Sequence, residues 1–146
     1  MSFNIKGASF LELYQTEIAP QLQSLDIILK SMDEPLTYTE ASEALYISES
    51  EIKDIIRRLN ISVIDQRSFL RIMGEASSPI CRLYQRELDI GSPYVYTRED
   101  ISYIYSLPLE IVNQACEDLG LVKLTAYTLP DLFSHVNMQP AYLDGI

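Results

Sequence analysis

An internal repeat constrains the fold of this chain more than any other feature of its sequence. When the sequence is shifted by 60 positions, residues 37–73 (repeat 1) align with residues 97–133 (repeat 2) without a gap. Apolar positions coincide along both segments, although few residues are identical. Because a recurring apolar pattern encodes recurring packing, we expect two copies of one helical unit. The matched pairs include Ile47 with Leu107, Ile52 with Val112, Leu59 with Leu119, Ile64 with Leu124 and Phe69 with Leu129.

Both repeats carry the same signals for the starts of helices. Thr37 with Glu40, and Thr97 with Asp100, have the spacing of capping boxes, in which a hydroxyl and a carboxylate satisfy free amide groups at a helix start. Ser48 and Pro108 favour the start of a second helix in each copy. The predicted first helices span 38–46 and 98–105, and the predicted second helices span 49–59 and 108–119.

The end of each repeat is also predicted by its residue types. Asn60 and Gly120 tolerate the left-handed conformation that ends many helices. Ser68 and Thr128 are expected to cap a further helical turn, which closes each unit. Two short β-prone stretches precede these turns, at 61–64 and 121–125.

The composition is that of a globular chain with a strong negative charge. The formal net charge is −10 and the pI is about 4.4. Such a charge repels polyanions, so nucleic acid is disfavoured as the default partner. No stretch approaches the roughly 20 apolar residues of a membrane span, and residues 1–10 lack a basic segment followed by an apolar run. We therefore expect a cytoplasmic protein with no membrane association.

Side chains that carry catalysis or bind metals are scarce. Cys81, Cys116 and His135 are too few and too widely spaced for a zinc site. Cys116 also falls on an apolar helical stripe and is expected to be buried. His135 follows an apolar turn, with no nucleophile motif or glycine-rich phosphate loop in the chain. We expect no enzymatic activity, and no catalytic, cofactor-binding or metal-binding residues.

The segment Thr39–Ile56 resembles the helix-turn-helix superfamily, in which an apolar triad on the first helix precedes a serine-capped second helix. Arg98–Leu119 repeats the pattern, and Tyr127–Phe133 is similar to the region after the recognition helix in MerR-like and excisionase-like winged forms. The resemblance implies a mainly α fold with tandem helix-turn-helix-like three-helix units and minimal β wings. An N-terminal amphipathic helix, broken or kinked at Pro20, is expected in addition.

The predicted organisation has four parts along the chain. An N-terminal helical segment precedes the first helix-turn-helix-like unit, and a linker helix separates it from the second unit and the C-terminal tail. The respective ranges are 1–34, 35–76, 77–92 and 93–146.

The resemblance also implies which residues would read DNA, since the second helix of such a unit enters the major groove. Carboxylates recur among them, and a carboxylate near phosphates is repelled. The glycine common in the turn of the family is replaced by Tyr46 and Ser106. The implied reading positions are Ser48, Glu49, Ser50, Lys53, Asp54 and Arg57, and Pro108, Leu109, Glu110, Asn113, Gln114 and Glu117.

The charges of the two repeats differ. Residues 35–73 contain five basic and six acidic side chains, whereas residues 93–135 contain two and six. Only repeat 1 could therefore hold phosphate. The alternative is a solvated face, in which Glu49 pairs with Lys53 and Asp54 with Arg58 at the i,i+4 spacing. The candidate nucleic-acid-binding residues are Lys53, Arg57, Arg58, Arg67 and Arg71.

Tyrosines crowd the start of repeat 2, and the chain has ten tyrosines and no tryptophan. An exposed tyrosine cluster on an acidic surface is typical of a protein interface, because tyrosine supplies large area at little ordering cost. The alternative is that these rings cover the junction between the units. The candidate protein-interface residues are Tyr94, Tyr96, Tyr103, Tyr105, Glu110 and Glu117.

Two functional hypotheses follow. The first is a regulatory or adaptor protein of bacterial or phage gene regulation, whose tandem scaffold binds a protein partner, such as a basic DNA-binding protein. The second is a sequence-specific DNA-binding transcriptional regulator, which would act as a homodimer through the N-terminal helix. They differ in one measurable property, because binding to DNA weakens steeply as salt rises.

Overall fold

The computed structural model describes residues 9–91 and 93–137, and these are mainly α-helical. Residues 1–8 of the predicted N-terminal segment, residue 92 of the predicted linker and residues 138–146 of the predicted tail lie outside the described part. Clustering of contacts divides the described chain into two compact bodies. Body 1 contains Pro20–Gln85, and body 2 contains residues 9–19, 86–91 and 93–137.

The N-terminal segment is helical on both sides of Pro20. Helix α1 (Phe10–Leu13) leads into a π-helical turn (Tyr14–Ile18), and α2 (Ala19–Ser31) follows. Proline lacks the amide proton that an α-helix needs and its ring crowds the preceding turn. A π-helical turn is a common way to accommodate such an irregularity. The break predicted at Pro20 is therefore found as a widened turn immediately before it.

Repeat 1 lies in body 1 and begins with a first helix, α3 (Tyr38–Leu45), and a second helix, α4 (Glu49–Leu59). The capping box of Thr37 and Glu40 is formed at the start of α3. The segments that flank the pair meet in an isolated antiparallel bridge between Leu36 and Ile64. The helix α5 (Gln66–Glu75) then packs against α4.

Repeat 2 lies in body 2 and has the same elements in the same order. The helices α7 (Arg98–Tyr105), α8 (Leu109–Leu119) and α9 (Leu129–Ser134) follow one another, and a bridge joins Tyr96 to Leu124. The bounds of α7, α8 and the bridge match those of repeat 1 at the shift of 60 positions. The remaining helix, α6 (Pro79–Ile90), lies between the repeats in sequence.

The turns between the helices also correspond. Tyr46 and Ser106, at the turn where helix-turn-helix proteins often have glycine, both adopt the left-handed conformation, at φ of 58° and 54°. The amide groups of the next residues, Ile47 and Leu107, donate to carbonyl groups five residues earlier, at 3.2 and 3.1 Å. The turn therefore keeps the backbone that glycine favours, with ordinary side chains at a conformational cost.

One predicted cap is wrong. Asp65, and not Ser68, is the N-cap of α5, because its carboxylate accepts a hydrogen bond from the Ser68 amide at 2.9 Å. Ser68 is its partner three residues into the helix, and its hydroxyl accepts from the Asp65 amide at 2.9 Å. In repeat 2, the Thr128 hydroxyl likewise accepts from the Thr125 amide, at 2.8 Å.

The cores of the two bodies differ in chemistry. Repeat 1 buries aliphatic side chains of α3 and α4 and, on α5, Phe69, Ile72 and Met73. In body 2, Phe133 lies at ring-centroid distances of 4.8 Å from Phe10 and 4.9 Å from Tyr14 and Tyr105. No helix of the described residues has the length and apolarity needed to cross a membrane.

Candidate functional site

The outward faces of the second helices, α4 and α8, are the surfaces to which the helix-turn-helix resemblance assigns function. They begin and end at equivalent residues, but their charges differ. The sequence of α4 contains three basic and three acidic side chains, whereas α8 contains three acidic side chains and no basic one. The same backbone thus presents a balanced surface in repeat 1 and an acidic one in repeat 2.

The five basic residues predicted in repeat 1 are all exposed. The predicted ion pair between Asp54 and Arg58 is not formed, and each of the two residues pairs with another partner. Asp54 pairs with Arg57 at 3.3 Å, and Arg58 lies 3.7 Å from Glu75 of α5. These pairs are highly exposed, and such pairs contribute little to stability.

The other predicted pair, between Glu49 and Lys53, is also absent. The Glu49 carboxylate accepts a hydrogen bond from the Thr39 hydroxyl at 3.1 Å. The Lys53 ammonium group lies 6.0 Å from the centroid of the Tyr38 ring. Glu49 and Lys53 therefore each contact a residue of α3 instead of each other.

Arg67 and Arg71 of α5 line an open cavity of about 330 Å³ at the end of α4, together with Asn60, Ser62 and Asp65. The Arg71 guanidinium donates a hydrogen bond to the Leu59 carbonyl oxygen at 3.2 Å. This bond holds Arg71 next to the last turn of α4, where the C-terminal carbonyl groups favour a cation. Sequence reasoning found both arginines but not the cavity, which depends on the packing of α5 against α4.

Repeat 2 carries other chemistry at these positions. Glu117 stands where repeat 1 has Arg57, and Asp118 and Asp131 stand where it has Arg58 and Arg71. All three carboxylate residues are exposed. Arg98 lies 3.7 Å from Glu117 and partly offsets its charge.

The predicted tyrosine cluster is divided by the fold. Tyr94 and Tyr103 are exposed, with 78% and 46% of their surface accessible, whereas Tyr105 is 4% accessible and belongs to the core. Tyr96 is half-buried and its hydroxyl donates to the Glu87 carboxylate. Burial raises the pKa of Tyr105 and Tyr96 above the usual value for tyrosine. The exposed candidates are therefore Tyr94 and Tyr103, together with Glu110 and Glu117.

Sequence reasoning missed the two most exposed apolar side chains of repeat 2. Val122 is 94% accessible and Tyr127 is 85% accessible. Both flank the Tyr96–Leu124 bridge, in the region equivalent to Ser62 and Arg67 of repeat 1. The alignment of the repeats could have indicated them, because the polar residues Ser62 and Arg67 of repeat 1 correspond to Val122 and Tyr127 in repeat 2.

The thiol groups lie in the cores. Cys81 and Cys116 are both free and buried, as predicted for Cys116. Burial raises the pKa of the Cys81 thiol to about 11, so this thiol is protonated at neutral pH and is a poor nucleophile. In the described part of the chain, no group of three or more histidine, cysteine, aspartate or glutamate side chains has an arrangement suited to a metal ion.

No protein-family profile, curated protein or solved structure matches this chain.

Proposed function

We propose that this chain is a non-enzymatic regulatory adaptor that binds a basic protein partner through repeat 2. The binding surface, named here the acidic-aromatic surface, combines carboxylates of α8 with apolar side chains around the bridge of the repeat. We assign to it Glu110, Glu117, Tyr94, Val122 and Tyr127. The setting that the helix-turn-helix resemblance favours is bacterial or phage gene regulation.

The observation that carries this proposal is the exposure of Val122 and Tyr127, at 94% and 85%. Large apolar side chains that flank a polar surface are typical of protein interfaces. Tyrosine in particular supplies contact area and a hydroxyl group with few rotatable bonds. They follow the second helix in the sequence, which is the element that helix-turn-helix proteins use for recognition, and this supports the proposal.

The charge of α8 favours a basic partner over nucleic acid. A helix with three carboxylates and no basic side chain repels phosphate groups. The same carboxylates attract a basic protein and accelerate its association at low salt. Electrostatics and exposed apolar area therefore support the same class of partner.

The test is capture of partners from the native cell by the immobilised full-length chain. The double variant Val122→Ser, Tyr127→Ser should reduce the recovery of a stoichiometric partner by about tenfold or more, because interface tyrosines are frequent hot spots. A second variant, Glu110→Lys with Glu117→Lys, should also reduce the recovery of the partner. This reduction should be larger at low salt than at high salt.

The matched control alters exposed apolar residues of repeat 1, as Val63→Ser with Leu70→Ser. It should leave the recovery of the partner unchanged. Equal recovery by the wild type and by both repeat 2 variants would contradict the proposal.

A second candidate function is DNA binding by repeat 1. It is favoured by the cavity of about 330 Å³ beside Arg67 and Arg71, with Arg57 exposed nearby on α4. Arg57→Ala and Arg67→Ala should each lower the slope of log affinity against log salt by about one. Lys30→Ala, which removes an exposed cation outside repeat 1, should not. Absence of duplex binding at low salt rules this candidate out.

The predicted apolar stripe of the N-terminal segment, through which this candidate would dimerise, is partly covered within the chain. Ile18 and Leu25 are buried, whereas the other members of the stripe are half-buried, namely Leu11, Tyr14, Leu22 and Leu29. Ile27, 55% accessible, is the large apolar side chain of α2 with the greatest exposure. A second copy would therefore have only the accessible part of this stripe to contact.

A further inference from the structure

The surfaces of the two repeats carry opposite chemistry at four equivalent positions. Each position is exposed in both repeats and is an arginine in repeat 1. In repeat 2, three of the four are acidic and one is a tyrosine. The pairs are Arg57 with Glu117, Arg58 with Asp118, Arg67 with Tyr127 and Arg71 with Asp131.

The four arginines of repeat 1 lie on α4 and α5, which pack against each other. Arg57 and Arg58 occupy the last turn of α4, and Arg71 bonds the Leu59 carbonyl group at the end of that helix. Arg67 lies one turn before Arg71 on α5, and both line the same cavity. We call this set the arginine face. Its local counter-charges, Asp54 and Glu75 among them, are exposed, and exposed pairs exchange at little cost.

We propose that the arginine face of one copy binds the acidic-aromatic surface of repeat 2 in a second copy, together with the exposed carboxylates Asp118 and Asp131 beside it, so that the chain associates with itself through unlike repeats. This inference rests on the proposed function, because it names a partner for the same surface of repeat 2. The arginine face is a locally basic patch, as that surface requires, on a chain whose net charge is −10.

The repeat relation supplies the geometry. Because the two repeats share the bounds of their first and second helices and their bridge, they can pair about a local two-fold axis, as identical units do in a symmetric dimer. The proposed interface has its axis close to these four positions, where residues face their own equivalents, so that Arg57, Arg58 and Arg71 face carboxylates. Arg67 faces Tyr127, a cation over an aromatic ring. A like pair of repeats would instead place equal charges opposite each other, which is unfavourable.

The exposed apolar residues fit the same arrangement. Val122 of repeat 2 is 94% accessible and would be covered by the partner copy at the cavity that Ser62, Arg67 and Arg71 line. Apolar area in the centre with charged pairs around it is the usual composition of a specific interface. Charge therefore selects which repeats meet, and burial of Val122 and Tyr127 stabilises the contact.

The experiment is sedimentation velocity on the full chain over a range of concentrations at low and high salt. At low salt, the average mass should rise with concentration above the monomer mass of 16.7 kDa. A closed dimer or a longer series of copies would both support the proposal. Salt screens the proposed charge pairs, but it also screens the repulsion between two chains of net charge −10, so the charge-reversal variants, and not the salt dependence alone, test the contact.

Charge reversal identifies the surfaces. Arg57→Glu with Arg58→Glu makes both repeats acidic at these positions, and Glu117→Arg with Asp118→Arg makes both basic. Each double variant alone should lose association by about tenfold or more, whereas an equimolar mixture of the two should recover it. The chain that carries all four substitutions should also recover it.

Matched controls carry the same change of charge elsewhere. Lys30→Glu with Arg82→Glu, and Glu12→Arg with Glu99→Arg, alter exposed residues outside the four positions and should leave association intact. If a reversal variant does not fold, as judged by circular dichroism, the neutral variants Arg57→Gln with Arg58→Gln, and Glu117→Gln with Asp118→Asn, replace it. Each neutral variant should weaken association, and a mixture of the two should not recover it, because neither variant carries the reversed charge.

Three results would overturn the proposal: a wild type that stays monomeric at all concentrations in low salt, association that reversal does not weaken, or a mixture that does not recover it. The proposed function has a separate outcome. If the chain is monomeric but Val122→Ser with Tyr127→Ser abolishes capture of a cellular partner, self-association is wrong and the adaptor proposal stands. If association follows the charge-reversal pattern but Val122→Ser with Tyr127→Ser does not change the capture of a cellular partner, self-association stands and the adaptor proposal is wrong.

Discussion

Repeat 1 and repeat 2 share a backbone register but differ in almost every exposed side chain. At the shift of 60 positions, the first helices, the second helices, the left-handed turn residues and the bridges all correspond. The second helix of repeat 1 balances its charges, whereas that of repeat 2 has only carboxylates. The comparison teaches that apolar spacing and capping preserve the unit, while the exposed surface is free to diverge.

The largest difference expected between the repeats concerns their cores. Phe133→Ala should lower the free energy of unfolding by about 4 kcal/mol, because a buried aromatic side chain leaves a cavity and three ring contacts are lost. Met73→Ala, at the equivalent buried position, should cost about 3 kcal/mol. Urea denaturation of both variants measures the difference. A larger loss for Met73→Ala would show that the aromatic cluster does not dominate the core of body 2.

The second difference concerns the starts of the second helices. The Ser48 hydroxyl accepts a hydrogen bond from the Glu51 amide at 3.1 Å, whereas Pro108 makes no side-chain cap. Ser48→Ala should therefore cost about 1 kcal/mol of unfolding free energy. Pro108→Ala should change it by only a few tenths, mainly through the flexibility of the unfolded chain. Equal costs in thermal or urea unfolding would contradict this account of the caps.

The smallest effect expected is a difference in acid sensitivity. Hydrogen bonds from Ser68 hold the pKa of Asp65 below its ordinary value. Asp65 therefore contributes stability that is fully present above its unfolded pKa and is lost as pH falls through its folded pKa. Repeat 2 has Thr125 at this position, which cannot titrate.

The pKa of Asp65 can be followed by the carboxyl chemical shift in an NMR titration. Ser68→Ala removes the hydroxyl hydrogen bond to the Asp65 carboxylate but keeps the bond from the backbone amide, so it should raise this pKa only part of the way towards the ordinary value. Thr128→Ala, the matched change in repeat 2, should leave it unchanged. An unaltered pKa in Ser68→Ala would show that the Ser68 hydroxyl does not lower it.

The mainly α fold followed from the sequence because its signals are local. The capping box of Thr37 and Glu40 fixes the start of α3, and the stops at Asn60 and Gly120 fix the ends of α4 and α8. The exact partners of side chains did not follow. Asp54 pairs with Arg57, one residue before the expected Arg58, because several rotamers of exposed charged residues have similar energies.

The candidate surfaces were only partly predictable for a related reason. The basic residues of repeat 1 were found from their charge, but the cavity beside Arg71 depends on how α5 packs against α4. The sequence does not predict the burial of Tyr105, because periodicity on a short helix does not say whether Tyr103 or Tyr105 is buried. The contact of Tyr105 with Phe10, at 6.1 Å between ring centroids, comes from a segment distant in sequence.

The central claim is that the two repeats have one backbone arrangement, and through-space proton contacts in NMR spectra of the full chain test it most directly. The account predicts matching contacts between Leu36 and Ile64 and between Tyr96 and Leu124, since each pair forms a bridge with an amide-to-carbonyl hydrogen bond, at 3.0 and 2.8 Å. Contacts for one pair without the other, in a fully folded sample, would contradict it.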